Sequence, residues 1–294
     1  MTARIFSTVT LWLSLGLVLY FGKIWGGLAL LLLVSSAAHW ELGTLLSRCG
    51  TNPRREFGVV LGMSSIVGLC WIILLKEPPQ NPHHFINLAA VLPGMVIAVI
   101  AFLLLRDPAK LIALFGCSPT AISWLYIPCG MMPLASLATE FWAFNKGDLS
   151  GLFLVLWFTA TVKFADCGAL LGGLLFGKHK LAPSISPGKT WEGCVGGILM
   201  SIAVAAGTAW ILGHWAVQLG WTVTGLTPGR AALVAIPLAV LSIPSDLVES
   251  VFKRRAGVKD SGRTIPGIGG AFDLIDSLVL TAPFAYLLIK FYVL

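Results

Sequence analysis

The chain alternates long apolar runs with short polar stretches, and many of the runs are of membrane-crossing length. A helix needs about 20 mostly apolar residues to cross a bilayer. Nine runs meet or approach that length: 5–22, 24–46, 57–75, 85–105, 121–137, 151–176, 194–217, 231–251 and 274–294. The apolar run 111–117 is too short to span and predicts a re-entrant or interfacial piece. Arg4 and the run behind it resemble a signal peptide, but no A-x-A cleavage site follows, which predicts a retained first span. The expected fold is all-α: a polytopic integral membrane protein of about nine transmembrane helices. Residues 1–150 read as transmembrane helices without an assignable motif. Residues 151–294 read as a transmembrane catalytic region.

Composition agrees. Hydrophobic residues make up 57% of the 294 positions and charged residues 11%. Soluble domains carry roughly 25% charged residues, so this chain could not cover a water-facing surface. The net charge of +7 therefore reads as basic loops beside anionic headgroups, not as a nucleic-acid surface. No basic run is interleaved with aromatics, and no nucleic acid is expected as a partner. The six cysteines form no CxxC pair and read as reduced thiols in apolar runs.

The basic residues separate by loop. Counting loops in order, the even ones hold Arg48, Arg54, Arg55, Arg106, Lys110, Lys178, Lys180, Lys189, Lys253, Arg254, Arg255, Lys259 and Arg263. The odd ones hold Lys23, Lys76, Lys146 and Arg230. The positive-inside rule puts the even loops in the cytoplasm. The expected setting is the cell membrane, with the polar site facing the cytoplasm.

Two of these loops, 177–193 and 253–273, are far more polar than the rest. Asp166, Asp246, Glu249, Asp273 and Asp276 lie in or beside apolar spans. A charge at membrane depth costs at least about 2.5–3.5 kcal/mol, so such carboxylates should face a wet cavity, a cation or a lysine such as Lys163 or Lys253. Asp246, Glu249 and Lys253 are spaced to share one helix face, and Asp273 and Asp276 repeat the i, i+3 spacing. Oxygen-only clusters suit Mg²⁺ or Mn²⁺ carrying substrate phosphates. Ser186-Pro187 reads as an N-cap and first helical residue, with Lys189 and Thr190 placed for an anion at a helix start. The string Pro187-Gly188-Lys189-Thr190 is not a Walker loop, because the first glycine of that pattern would fall on Pro183. The run 266–270 holds three glycines, whose backbone N–H groups can approach a phosphate closely.

At these residues the sequence resembles the phosphatidate cytidylyltransferases. Their signature is matched by Ser250-Val251-Phe252-Lys253-Arg254, Lys259-Asp260-Ser261-Gly262, Pro266-Gly267-Ile268-Gly269-Gly270 and Asp273-Leu274-Ile275-Asp276-Ser277. Ser245-Asp246-Leu247-Val248-Glu249-Ser250 precedes it, and an upstream block starts at Asp166 and includes 176–183 and 186–193. Ile268 stands where the signature has histidine, and Leu274 where it has arginine. The resemblance implies that CTP and phosphatidate react to CDP-diacylglycerol and pyrophosphate in a membrane-embedded homodimer. It implies Asp246, Lys259, Asp260 and Asp273 as catalytic residues, with Asp246 and Asp273 on a divalent metal, Mg²⁺ or Mn²⁺, and K⁺ as a candidate second cation. For substrate it implies Asp166, Lys178, Ser186, Lys189, Thr190, Glu192, Lys253, Arg254, Gly269, Gly270 and Asp276. The competing readings are a CTP-dependent polyprenol kinase-like enzyme, opposed by the long signature, and a polytopic lipid transporter, opposed by the absence of paired repeats.

Overall fold

The structure is a computed structural model that describes residues 2–76, 86–144, 149–216, 225–265, 267 and 269–293. The proline-rich loop 78–84, Lys146, and Pro266 and Ile268 of the glycine-rich run lie outside the described residues. Eleven helices and one two-stranded hairpin follow in order. They are α1 (Thr2–Arg48), α2 (Arg55–Leu75), α3 (Leu88–Leu104), α4 (Pro108–Cys117), α5 (Pro119–Tyr126), α6 (Pro128–Phe144), α7 (Ser150–Phe176), β1 (Lys180–Ala182), β2 (Ser186–Thr190), α8 (Trp191–Ala216), α9 (Pro228–Arg255), α10 (Ala271–Val279) and α11 (Ala282–Tyr292).

The chain is an all-α polytopic membrane protein. Among the described residues six helices are long and apolar enough to cross a bilayer, or seven if α10 and α11, bent by 44°, form one span. This is fewer than the nine runs read from the sequence. α1 counts once, although the chain breaks in it at Lys23 (φ 48°, ψ −134°). A Cβ on Gly26 would sit 2.5 Å from the carbonyl oxygen of Val18. Residues eight apart on a straight helix are about 12 Å apart along the axis, so the chain turns back at Lys23. α3, with 17 residues, falls just short of the spanning length. The short run 111–117 forms α4 and does not span: it buries Leu111 and Phe115 and leaves Asp107 and Lys110 at its other end in an exposed ion pair.

The outer surface is apolar, as a lipid-facing surface must be: Leu75, Leu103, Leu175 and Trp210 are all at least 70% exposed. Inside, two devices place the polar site. The first is a seam of small residues between α7 and α8. A Cβ on Gly196 would lie 2.7 Å from the Gly168 carbonyl oxygen and 3.0 Å from the Gly172 Cα, so the two backbones touch without side chains between them. The second is an aromatic cluster beneath the ends of α9 and α10. Phe252 packs on Phe115 at 4.6 Å and on Tyr126 at 6.1 Å between centroids, and Tyr126 meets Phe272 edge-on at 6.1 Å. Elsewhere a buried Glu140 on α6 pairs with Lys290 on α11 at 3.0 Å and accepts from Tyr286 and Ser136.

The loop 177–193 folds differently from its sequence reading. Ser186-Pro187 does not open a helix. It begins β2, which pairs antiparallel with β1. α8 starts at Trp191, where Thr190 Oγ1 accepts from Gly193 N at 3.1 Å and serves as the cap. The hairpin is closed at its base by Glu192, whose carboxylate accepts from the Lys178 and His179 amides and lies 2.6 Å from His179 Nδ1. Thr190 and Glu192, expected on substrate, are used to shape the hairpin.

Candidate active site

Three helices and the hairpin converge on one cluster. α7 brings Lys163 and Asp166, one turn apart on the same face. α9 brings Asp246, Glu249 and Lys253. α10 brings Asp273 and Asp276, and β2 brings Lys189. One carboxylate oxygen from each of Asp166, Asp246 and Asp276 lies within 4.8 Å of the others. Lysines border the cluster. Lys163 Nζ is 2.9 Å from Asp276 and 3.4 Å from Asp166, and Lys189 Nζ is 3.1 Å from Asp246. Ser277 Oγ donates to Asp166 at 3.0 Å, and Ser245 Oγ donates to the Asp276 carbonyl.

A second layer lies next to it. Lys253 Nζ sits between Glu249 at 2.6 Å and Asp273 at 2.8 Å. The other oxygen of Asp273 accepts from Ser261 N at 2.8 Å and Gly270 N at 2.7 Å. The resemblance pairs Asp246 with Asp273 on one metal, whereas the carboxylates grouped with Asp246 in this structure are those of Asp166 and Asp276. Asp273 is turned to its own helix start and to Lys253, and the partners converging with Asp246 are Asp166 and Asp276.

The glycines also differ from expectation. Gly269 N donates to Ile265 O at 3.0 Å and Gly270 N to Asp273, so neither amide is left for a phosphate. Their value is steric. Gly269 has φ 126°, in the region that favours glycine, and a side chain on Gly270 would collide with Glu41 and Ser261. Lys259 and Asp260 stand exposed on the loop after α9, and Lys178 is exposed at the root of the hairpin. Arg254 is exposed, and its Nε points to the Ile185 carbonyl at 3.4 Å, joining the end of α9 to the hairpin turn.

The donor set fits a divalent cation. Among the described residues the two layers place five carboxylates (Asp166, Asp246, Glu249, Asp273 and Asp276) against three lysines (Lys163, Lys189 and Lys253). Asp246 Oδ1 and Glu249 Oε1 are buried and have no hydrogen-bond partner among the described residues. An unsatisfied buried carboxylate oxygen is costly, and a cation or an ordered water at these atoms would satisfy it.

The fold and site define a polytopic membrane protein with a carboxylate and lysine cluster set among its helices. The comparison with known sequences makes this specific: residues 2–292 match the cytidylyltransferase family, and the chain belongs to it. It is 31% identical over 266 residues to a phosphatidate cytidylyltransferase of Staphylococcus aureus, covering 90% of this chain and 91% of that protein. It is 44% identical over 137 residues to the Haemophilus influenzae protein of that name, and 39% over 161 residues to that of Synechocystis. These two matches cover 46% and 54% of this chain, and the chain spans about half of each relative, 44% and 51% of their lengths.

Proposed function

We propose that this chain transfers the cytidylyl group of CTP to phosphatidate in the membrane. A phosphate oxygen of phosphatidate forms a bond to the α-phosphorus of CTP. The bond from that phosphorus to the β-phosphate oxygen breaks, and pyrophosphate leaves. The product is CDP-diacylglycerol. The observation that carries this reading is the convergence of Asp166, Asp246 and Asp276 at the edge of lipid-facing helices. The family membership and the names of the relatives support it.

The nucleophile is already ionised near neutral pH, so no strong general base is needed. The task of the site is to position two anions and offset their charge. Asp166, Asp246 and Asp276 would hold Mg²⁺ or Mn²⁺, which supplies charge neutralisation at phosphate oxygens. The open Glu249 oxygen is the natural ligand for a second cation such as K⁺. Lys189 reaches the cluster from the hairpin and binds phosphate there, with Lys259 and Lys178 as exposed cations able to steer CTP. Lys253 orients Glu249 and Asp273. The basic residues of the even loops support a cytoplasmic site in the cell membrane, where CTP is available. The family resemblance supports a homodimer.

The test is purified protein in detergent with labelled CTP, phosphatidate and Mg²⁺. Equimolar pyrophosphate and CDP-diacylglycerol are expected. Folded protein that forms neither with Mg²⁺ or Mn²⁺ overturns the reading.

A further inference from the structure

The helix before Arg48 carries one buried carboxylate, Glu41, 8% exposed. Among the described residues its hydrogen-bond partners all belong to the other end of the chain. Glu41 Oε1 accepts from Ala271 N at 3.0 Å and lies 3.3 Å from Thr264 Oγ1. Oε2 accepts from Phe272 N at 2.9 Å and lies 2.8 Å from Ser261 Oγ. Ser261 Oγ is also 2.8 Å from Asp273 Oδ2. The amides at the start of α10 are thereby all used. Gly270 donates to Asp273, Ala271 and Phe272 donate to Glu41, and Asp273 donates to Ser261 Oγ. Amides at a helix start lack partners within the helix, and a carboxylate there also meets the favourable end of the helix dipole.

We infer that Glu41 is a positioning residue of this site, the brace that fixes the start of α10 against the loop 259–264 and so sets where Asp273 and Asp276 stand. The sterics agree. A Cβ on Gly262 or on Gly270 would collide with the Glu41 carboxylate, so both signature glycines leave room for it. Glu41 touches no residue of the Asp166, Asp246 and Asp276 cluster directly. It acts through Ser261 and through the α10 backbone. The inference rests on the cytidylyltransferase reading for its kinetic consequence and on geometry alone for its structural one.

The experiment compares wild type with Glu41→Gln in detergent, measuring turnover, KM for CTP, thermal unfolding and amide hydrogen exchange. Glutamine keeps one acceptor oxygen and turns an N–H₂ group toward the donors on the other side, so half of the brace is lost with little change in size. Expected are a fall in kcat of at least 30-fold, a KM for CTP within about threefold of wild type, and faster exchange confined to residues 259–277. Glu41→Asp should restore part of kcat. Unchanged exchange over 259–277, or unchanged kcat with faster exchange, overturns the inference. So does a loss of activity accompanied by faster exchange throughout α7, α8 and α9, which marks a general packing role. If Glu41→Gln yields no folded protein, Glu41→Asp carries the same comparison, and wild-type kcat and exchange in that variant overturn the inference. If wild type itself makes no CDP-diacylglycerol, the enzymatic reading fails, while the exchange result still decides whether Glu41 braces α10.

Discussion

Lys163 on α7 and Asp276 on α10, 113 residues apart in the chain, meet at 2.9 Å. The same ammonium lies 3.4 Å from Asp166, so one lysine joins two of the three converging carboxylates. Without it, like charges face each other in a partly buried space. Removing one partner of a buried pair costs about 3–5 kcal/mol, and 20% exposure of the lysine side chain puts this case toward the lower end. Lys163→Met should therefore lower the melting temperature by several degrees and turnover by at least 100-fold. Lys163→Arg should recover part of both. Melting curves and pyrophosphate release from the same preparations check this.

Asp246 and Asp273 should behave differently when each is changed to asparagine. Asp246 has an unpartnered buried oxygen in the three-carboxylate cluster, whereas the oxygens of Asp273 are taken by Lys253, Ser261 and Gly270. Asp246→Asn should abolish turnover or shift its Mg²⁺ midpoint at least tenfold upward. Asp273→Asn should lower kcat and leave that midpoint within about twofold of wild type. A Mg²⁺ titration of both variants decides, and equal shifts would restore a shared metal.

The all-α membrane class and the family blocks were legible because hydropathy and block spacing are properties of the sequence alone, whereas the count of nine spans was not met among the described residues. The wiring between blocks was not. Glu41 could have been noticed, since a carboxylate within the run 24–46 is costly at membrane depth. Its partners lie more than 200 positions away, at 261 to 272, and no local pattern joins them. Lys163 was visible only as a counter-ion for one or other of five carboxylates, not as the link between Asp166 and Asp276. The start of α8 was misread because Ser186-Pro187 is a sound helix opening by local rules, and pairing with β1 overrode it. The division at residue 150 marks where motifs begin. The hydrogen bonds of Glu41 cross it.

The α7–α8 seam sets a steric prediction. Gly196→Leu must push apart two touching backbones, at a cost of about 1–3 kcal/mol for overpacking. Gly207 lies on the same helix with nothing within 4 Å of its Cβ position. Gly207→Leu should leave the melting temperature within a degree or so of wild type, whereas Gly196→Leu should lower it clearly and reduce yield. Unfolding curves of the two variants side by side provide the comparison.

Orientation is open to chemical labelling. Gly188 in the hairpin and Gly229 at the start of α9 are exposed, with open space at their Cβ positions. In a background with the six cysteines replaced, Gly229→Cys should react with an impermeant maleimide in intact cells. Gly188→Cys should react only in inverted vesicles. The opposite pattern would turn the topology over.

The three converging carboxylates come from α7, α9 and α10, and the brace of α10 comes from α1. During synthesis these helices enter the bilayer one after another. The start of α10 finds its carboxylate only by docking on a helix inserted long before, at the opposite end of the chain. A chain that has not yet made α10 therefore holds Asp166 and Asp246 without Asp276, their third partner. The three-carboxylate cluster is complete only once the last helices have docked on the first.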